Sequence, residues 1–265
     1  MLASLNRRLN NNYLLYCNPH YLHLKYFLGF DLGSSSVKAA LLEADSGKPL
    51  ASAFSPVAEM KIHSPLPGFA EQDPEQWWRE LINATRLLHK KFPFYKNEIG
   101  AIGISYQMHG LVCIDKNGQP LRPAIIWCDS RAVNYGSLAF DQVGHGFCLE
   151  HFLNSPGNFT ASKLKWVKEN EPEIYKKTVR VLLPGDFIAL KMTGDAVTTV
   201  QGLSEGIFWD YKESNIAHSL LDYYGIDKSL LAPCVPCFGE QGRLQTTAAD
   251  ALGIDVGTPV CYRSG

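Results

Sequence analysis

The chain has 265 residues, of which 46% are hydrophobic and 19% are charged. This balance is typical of globular proteins and excludes the disordered and fibrous classes. The 25 Lys and Arg residues nearly cancel the 26 Asp and Glu residues, for a net charge of −1, so the sequence predicts neither a nucleic-acid partner nor an anionic membrane surface.

Residues 1–26 differ from the rest of the chain, because they are rich in asparagine and contain no acidic residue. The apolar run at 13–17 is short for a signal peptide, and no small-residue cleavage site follows it. No run of about 20 apolar residues is present that would cross a bilayer. We expect residues 1–26 to be an N-terminal extension that is disordered, derived from an upstream start or artificially added, and residues 27–265 to form the domain.

The first elements after the extension predict a β-meander followed by a helix. Apolar runs at 26–31, 37–42 and 49–57 read as strands, and they are separated by turn residues. Asp73 can cap a helix that begins with Pro74 and turns Trp77 and Leu81 toward the core. Further patterns predict strands at 99–106, 111–114, 123–127 and 259–262 and helices at 162–170 and 216–224. Strands, then helices, then strands indicate a mixed α/β domain.

The segment 31–38, which reads DLGSSSVK, lies in the tight turn between the first two predicted strands. Glycine lets the backbone approach a ligand closely, and backbone N–H groups and serine hydroxyls can donate to phosphate oxygens. The Asp31 carboxylate could hold magnesium through water. A serine-rich hairpin turn would have the same composition, so the residues alone leave both interpretations open. The predicted phosphate-binding residues are Gly33, Ser34, Ser35, Ser36 and Lys38.

Two other segments place polar groups directly after predicted strands, where ligands often bind. Residues 107–110 read QMHG, and residues 127–131 read WCDSR. A histidine beside an aromatic, an acid and a base can bind sugar hydroxyls, although a structural histidine and a surface Asp–Arg pair would look the same. The predicted substrate-binding residues are Gln107, Met108, His109, Gly110, Trp127, Asp129 and Arg131.

The chain has seven cysteines, an odd number that fits a reducing cytoplasm. Cys234 and Cys237 form a CxxC that could be half a zinc site or a redox pair. No second CxxC and no histidine pair accompanies it, so we favour two loop cysteines between prolines. The sequence also contains no GxxxxGK[ST] element and no GxGxxG element after a strand, so any nucleotide must be bound in another way.

Together with 31–38, several segments resemble the FGGY carbohydrate kinases, and xylulokinases in particular. They are GFAEQDPEQWW at 68–78, QMHG at 107–110, LRPAIIW at 121–127, FTASKLKWV at 159–167 and LLPGD at 182–186. Glycerol kinases carry Arg-Glu where this chain has Met108 and His109, which favours a ketopentose. The resemblance covers about residues 27–265.

The resemblance implies an α/β, actin-like ATPase (ribonuclease H-like) domain with a mixed five-stranded sheet flanked by helices. It further implies the N-terminal, sugar-binding domain of a cytoplasmic enzyme that phosphorylates D-xylulose with ATP and Mg²⁺. In that enzyme Asp31 would be a catalytic residue that binds the magnesium ion through water. A general-base Asp is expected just beyond Gly265, and the nucleotide-binding domain that should follow is absent, so we expect the fragment to be inactive alone. A homodimer fits the full-length family.

Two alternatives stay open at this stage. One is a kinase of the same fold that acts on ribulose, fuculose or gluconate. The other is a non-catalytic, actin-fold nucleotide switch, in which QMHG would have no evident role.

Overall fold

The computed structural model describes residues 24–265, so the predictions for residues 1–23 of the extension lie outside the described residues. Tyr26, which we assigned to the extension, already belongs to the first strand. The strands are β1 (Tyr26–Leu32), β2 (Val37–Glu43), β3 (Pro49–Ser55), β4 (Glu71–Gln72), β5 (Ile99–Tyr106), β6 (Val112–Ile114), β7 (Ala124–Ile125), β8 (Arg180–Leu182), β9 (Thr198–Thr199), β10 (Trp209–Asp210), β11 (Asn215–Ile216), β12 (Cys234–Val235) and β13 (Val260–Ser264). The helices are α1 (Pro74–Lys91), α2 (Val133–Val143), α3 (His145–His151), α4 (Thr160–Asn170), α5 (Pro172–Lys177), α6 (Pro184–Thr193), α7 (Val200–Glu205), α8 (His218–Tyr224) and α9 (Thr246–Leu252).

The central sheet has five strands in the order β13-β5-β1-β2-β3. β1, β2 and β3 form the predicted antiparallel meander, whereas β5 lies parallel to β1 and β13 lies parallel to β5. The sheet is therefore mixed and flanked by helices, as predicted. Because β1 and β5 are parallel, their carboxyl ends lie at the same edge of the sheet, and the segments that follow them become neighbours.

Helix α1 covers one face of this sheet and packs against β2 and β3. Asp73 caps it by accepting the N–H of Glu75 at 2.9 Å, and Pro74 occupies its first position, as predicted. Trp77 and Leu81 are fully buried, and burial of each such side chain contributes about 2 kcal/mol.

A second apolar core is mainly helical and lies beside the sheet core. The strand β6 joins the two, because Val112 and Ile114 belong to the sheet core while Cys113 belongs to the helical core. Alternate side chains of a strand point to opposite faces, so a strand buried on both faces can connect two cores. Within the described residues, no helix is both long and apolar enough to cross a bilayer.

Several predicted boundaries were wrong by a few residues. The third strand ends at Ser55 rather than 57, because Pro56 has no N–H to continue the ladder. The predicted helix at 216–224 begins only at His218, since residues 215–216 pair with β10 in a short hairpin. The predicted strand at 123–127 is only the two-residue β7, which pairs with β4.

Candidate functional site

The DLGSSSVK segment forms the turn between β1 and β2. The Gly33 N–H donates to the Ser36 carbonyl at 3.1 Å and closes the turn. Asp31 and Lys38 are cross-strand partners, and the Lys38 ammonium donates to the Asp31 carboxylate at 2.7 Å. Both of these side chains are about half exposed, so the acid and the base are accessible to a ligand.

The QMHG segment follows β5 and lies beside this turn. The Gln107 N–H donates to the Leu32 carbonyl at 2.7 Å, directly before the turn begins. The Gln107 side chain is buried, and its Oε1 has no hydrogen-bond partner among the described residues. A buried, unpaired acceptor is uncommon in native structures and can be satisfied by a ligand hydroxyl or by water.

Gln72 connects the two segments, and the sequence analysis did not identify it as a site residue. Its amide nitrogen donates to the Ser34 carbonyl at 2.6 Å. Its oxygen accepts the indole N–H of Trp77 at 3.0 Å and lies 3.4 Å from the amide nitrogen of Gln107. Gln72 is 2% exposed, so this bridge is buried and fixes the turn relative to β5. The GFAEQDPEQWW motif was the available signal for it.

Trp127 also contacts this turn. Its indole N–H donates to the Ser34 hydroxyl at 3.3 Å, and half of its surface is exposed. An exposed aromatic face beside polar groups can stack on the apolar face of a sugar. Met108 is likewise about half exposed, which places two apolar surfaces near the predicted site.

Asp129 and Arg131 form a buried ion pair rather than a surface pair. The Arg131 guanidinium donates to both carboxylate oxygens of Asp129, and the two side chains are 1% and 0% exposed. Asp129 also accepts the Ala70 N–H at 2.6 Å, and Arg131 donates to Glu71 at 2.8 Å and stacks on Phe69 at 3.7 Å. Direct sugar contact by this pair stays a prediction, and its burial favours a role in holding the loop after Trp127.

His109 has a left-handed backbone conformation, with φ at 60°. Its ring lies edge-on to Phe159 with 4.4 Å between centroids. The backbone N–H of His109 donates to the Glu205 carboxylate at 2.6 Å, and the backbone carbonyl of His109 accepts from the Lys163 ammonium at 2.7 Å. Burial first, and then the Lys163 charge, lower the pKa of His109, so the ring is neutral at pH 7 and can both donate and accept. The next residue, Gly110, is buried against Pro184.

Glu205 and Lys163 were missed by the sequence analysis, although both contact a predicted site residue. Burial, partly opposed by the His109 N–H, raises the pKa of Glu205 to about 7. Burial lowers the pKa of Lys163 to about 8, although nearby Asp129 opposes that change.

The arrangement fits a hydrated magnesium ion and a phosphate group better than a metal held by protein alone. Among residues 24–265, no cluster of three or more His, Cys, Asp or Glu side chains could hold a metal. Mg²⁺ usually keeps several waters and binds one or two carboxylates together with phosphate oxygens, and half-exposed Asp31 suits that role. The two cysteines of the CxxC segment have structural surroundings. Cys234 begins the short strand β12, and the Cys237 thiol donates to the Arg263 carbonyl at 3.4 Å.

Comparison with known proteins gives consistent matches across the described chain. The FGGY family of carbohydrate kinases, N-terminal domain, matches residues 26–265. The xylulose kinase of Escherichia coli is 36% identical over 183 residues, which are 69% of this chain and 36% of that protein. The crystal structure of a xyloylose kinase from Brucella ovis superposes with a TM-score of 0.80 and 30% identity, over 91% of this chain and 48% of that one.

The chain spans about half the length of several curated relatives it matches. A gluconate kinase from Lactobacillus acidophilus shares the fold, with a TM-score of 0.81 at 23% identity, over 91% of this chain and 48% of that one. The fold is thus the actin-like ATPase fold that the resemblance implied. Because the family model matches nearly the whole chain, the chain belongs to the FGGY family of carbohydrate kinases and matches that family's N-terminal domain.

Proposed function

We propose that this chain is the sugar-binding domain of a cytoplasmic kinase that transfers the γ-phosphoryl group of ATP to the 5-hydroxyl of D-xylulose. One observation carries the proposal: the buried Gln72 bridge holds the turn of residues 33–36 beside Gln107. This contact supports the proposal because it brings the segment proposed to bind phosphate next to the segment proposed to bind the sugar. Phosphoryl transfer depends on such positioning more than on covalent catalysis by the protein.

In this proposal the turn binds phosphate and the QMHG segment binds the sugar. The backbone and hydroxyls of residues 33–36 would donate to phosphate oxygens, Lys38 would add a positive charge, and Asp31 would hold Mg²⁺ through its bound waters. When bound, Mg²⁺ would neutralise charge on the transferred phosphoryl group. The neutral His109 ring and the unpaired Gln107 oxygen receive sugar hydroxyls, beside the exposed faces of Met108 and Trp127.

A third strand of the central sheet, β13, also ends at this edge. β13 runs parallel beside β5, so its carboxyl end points to the same edge of the sheet as the QMHG segment. In the proposed reaction, phosphoryl transfer also needs a general base near the sugar hydroxyl and the exclusion of water from the phosphates.

Calorimetric titration of the chain with D-xylulose, D-ribulose, D-gluconate and glycerol tests this proposal. We expect D-xylulose to bind selectively, His109→Ala to abolish the binding, and His145→Ala, which changes an exposed histidine of α3, to leave it unchanged. If D-ribulose or D-gluconate bound more tightly than D-xylulose, that sugar would become the proposed substrate instead. Binding of ATP with no sugar binding at all would favour the nucleotide switch.

A further inference from the structure

The backbone of His109 has a conformation that its own side chain disfavours. A φ of 60° is the left-handed region, which glycine adopts freely and other residues adopt only when their surroundings hold them there. The next residue, Gly110, is packed closely on the Pro184 ring, because a Cβ at that position would lie 2.5 Å from the ring. The geometry of His109 therefore depends on groups outside its own segment.

Both backbone polar groups of His109 are bound by ionisable side chains from other elements. Glu205, the last residue of α7, accepts the N–H at 2.6 Å, and Lys163 of α4 donates to the carbonyl at 2.7 Å. The Lys163 side chain is fully buried, and the Glu205 side chain is 12% exposed. Hydrogen bonds with charged partners are strong where water is excluded.

Lys163 also reaches the second predicted sugar segment. Its ammonium donates to the Ile126 carbonyl at 3.0 Å, and Ile126 directly precedes Trp127. One buried charge thus joins the backbone before Trp127 to the backbone at His109. A methionine at this position would have a similar length but no N–H, so it could donate to neither carbonyl.

We propose that Glu205 and Lys163 are positioning residues that hold His109 and Trp127 in the geometry that binds the sugar. The inference rests on the proposed function for its sugar, but the contacts themselves can be measured without any ligand. The groups that face Glu205 besides Lys163 are His109, Asp186 of α6 and Tyr106 of β5. Those that face Lys163 are Asp129, Arg131 and Cys128.

The first measurement is nuclear magnetic resonance of the ¹⁵N-labelled chain without sugar. We expect the His109 amide proton to lie far downfield and to shift with an ionisation near pH 7, because its acceptor is the Glu205 carboxylate. In Glu205→Gln, which keeps an acceptor oxygen, the downfield position should persist while the titration disappears. Glu205→Ala should abolish both, and Glu213→Ala, an exposed control, should abolish neither.

The second measurement is D-xylulose affinity of the same variants. We expect Glu205→Ala and Lys163→Met to weaken binding by about tenfold or more, and Glu205→Gln to recover most of the loss. An unshifted His109 amide in a folded Glu205→Ala chain would overturn the inference, as would wild-type affinity in that variant. If the wild-type chain binds no sugar, the proposed function fails while the amide titration still decides the contact. If Glu205→Ala does not fold, Glu205→Gln and the wild-type titration decide it.

Discussion

Replacement of Arg131 by Met tests whether the Asp129–Arg131 pair supports the fold. The change removes a guanidinium that is 1% exposed and leaves the fully buried Asp129 carboxylate without its charged partner. Removing one member of a buried ion pair costs about 3–5 kcal/mol. For a chain of this size that free energy corresponds to a melting temperature lower by about 10 °C.

Urea and thermal unfolding of the purified chain provide the assay, and Arg79→Met provides the matched control. Arg79 pairs with Asp73 at 2.9 Å, but both side chains are more than half exposed, so its loss should change the free energy of unfolding by less than about 1 kcal/mol. If Arg131→Met were no less stable than Arg79→Met, the reasoning from burial would be refuted, and a direct role of Arg131 in ligand binding would gain support.

Three further predictions concern single residues. Gly110→Ala should lower the free energy of unfolding in urea by about 1–3 kcal/mol and weaken sugar binding, because the new Cβ would lie 2.5 Å from the Pro184 ring. In the control Gly146→Ala the new Cβ meets nothing within 4 Å, so this change should leave the stability unchanged or raise it. The Lys163 pKa of about 8 lies below the 10.5 of an unfolded lysine, so between pH 8 and 10.5 the unfolded state binds more protons than the folded state. In this pH range the free energy of unfolding of the wild type should therefore rise with pH relative to that of Lys163→Met. If the free energies of unfolding of the two chains changed with pH in the same way, the prediction would be contradicted. Burial raises the pKa of Cys113 to about 11, so iodoacetamide at pH 8 should label exposed Cys128 and spare Cys113, as read by mass spectrometry.

The sequence was informative where the signal was local. Alternating apolar runs and turn residues predicted the meander, and the placement of QMHG after a strand predicted one of the two segments that meet at the candidate site. The pairing of β1 with β5 is not local, yet its result could be anticipated, because polar residues at the carboxyl ends of two buried strands tend to meet at one sheet edge.

The parts that were missed depend on tertiary contacts. Lys163 lies in a helix, where a lysine normally extends into solvent, and only the packing of α4 against the segments at 109 and 126 buries its ammonium. Glu205 ends a six-residue helix that is too short to show a periodic pattern. An Asp and an Arg two residues apart form a surface pair in some proteins and a buried pair in others, so the burial of Asp129 and Arg131 could not be predicted from the sequence.

The position of β13 in the sheet has a consequence for folding. The meander of β1, β2 and β3 joins neighbouring parts of the chain, whereas Val260 pairs with Ile102 across most of the domain. During synthesis, β5 therefore keeps an open edge until β13 has been made, and open strand edges promote aggregation. Long-range pairing also forms slowly, so we expect the closing of the sheet by β13 to limit the folding rate of the domain.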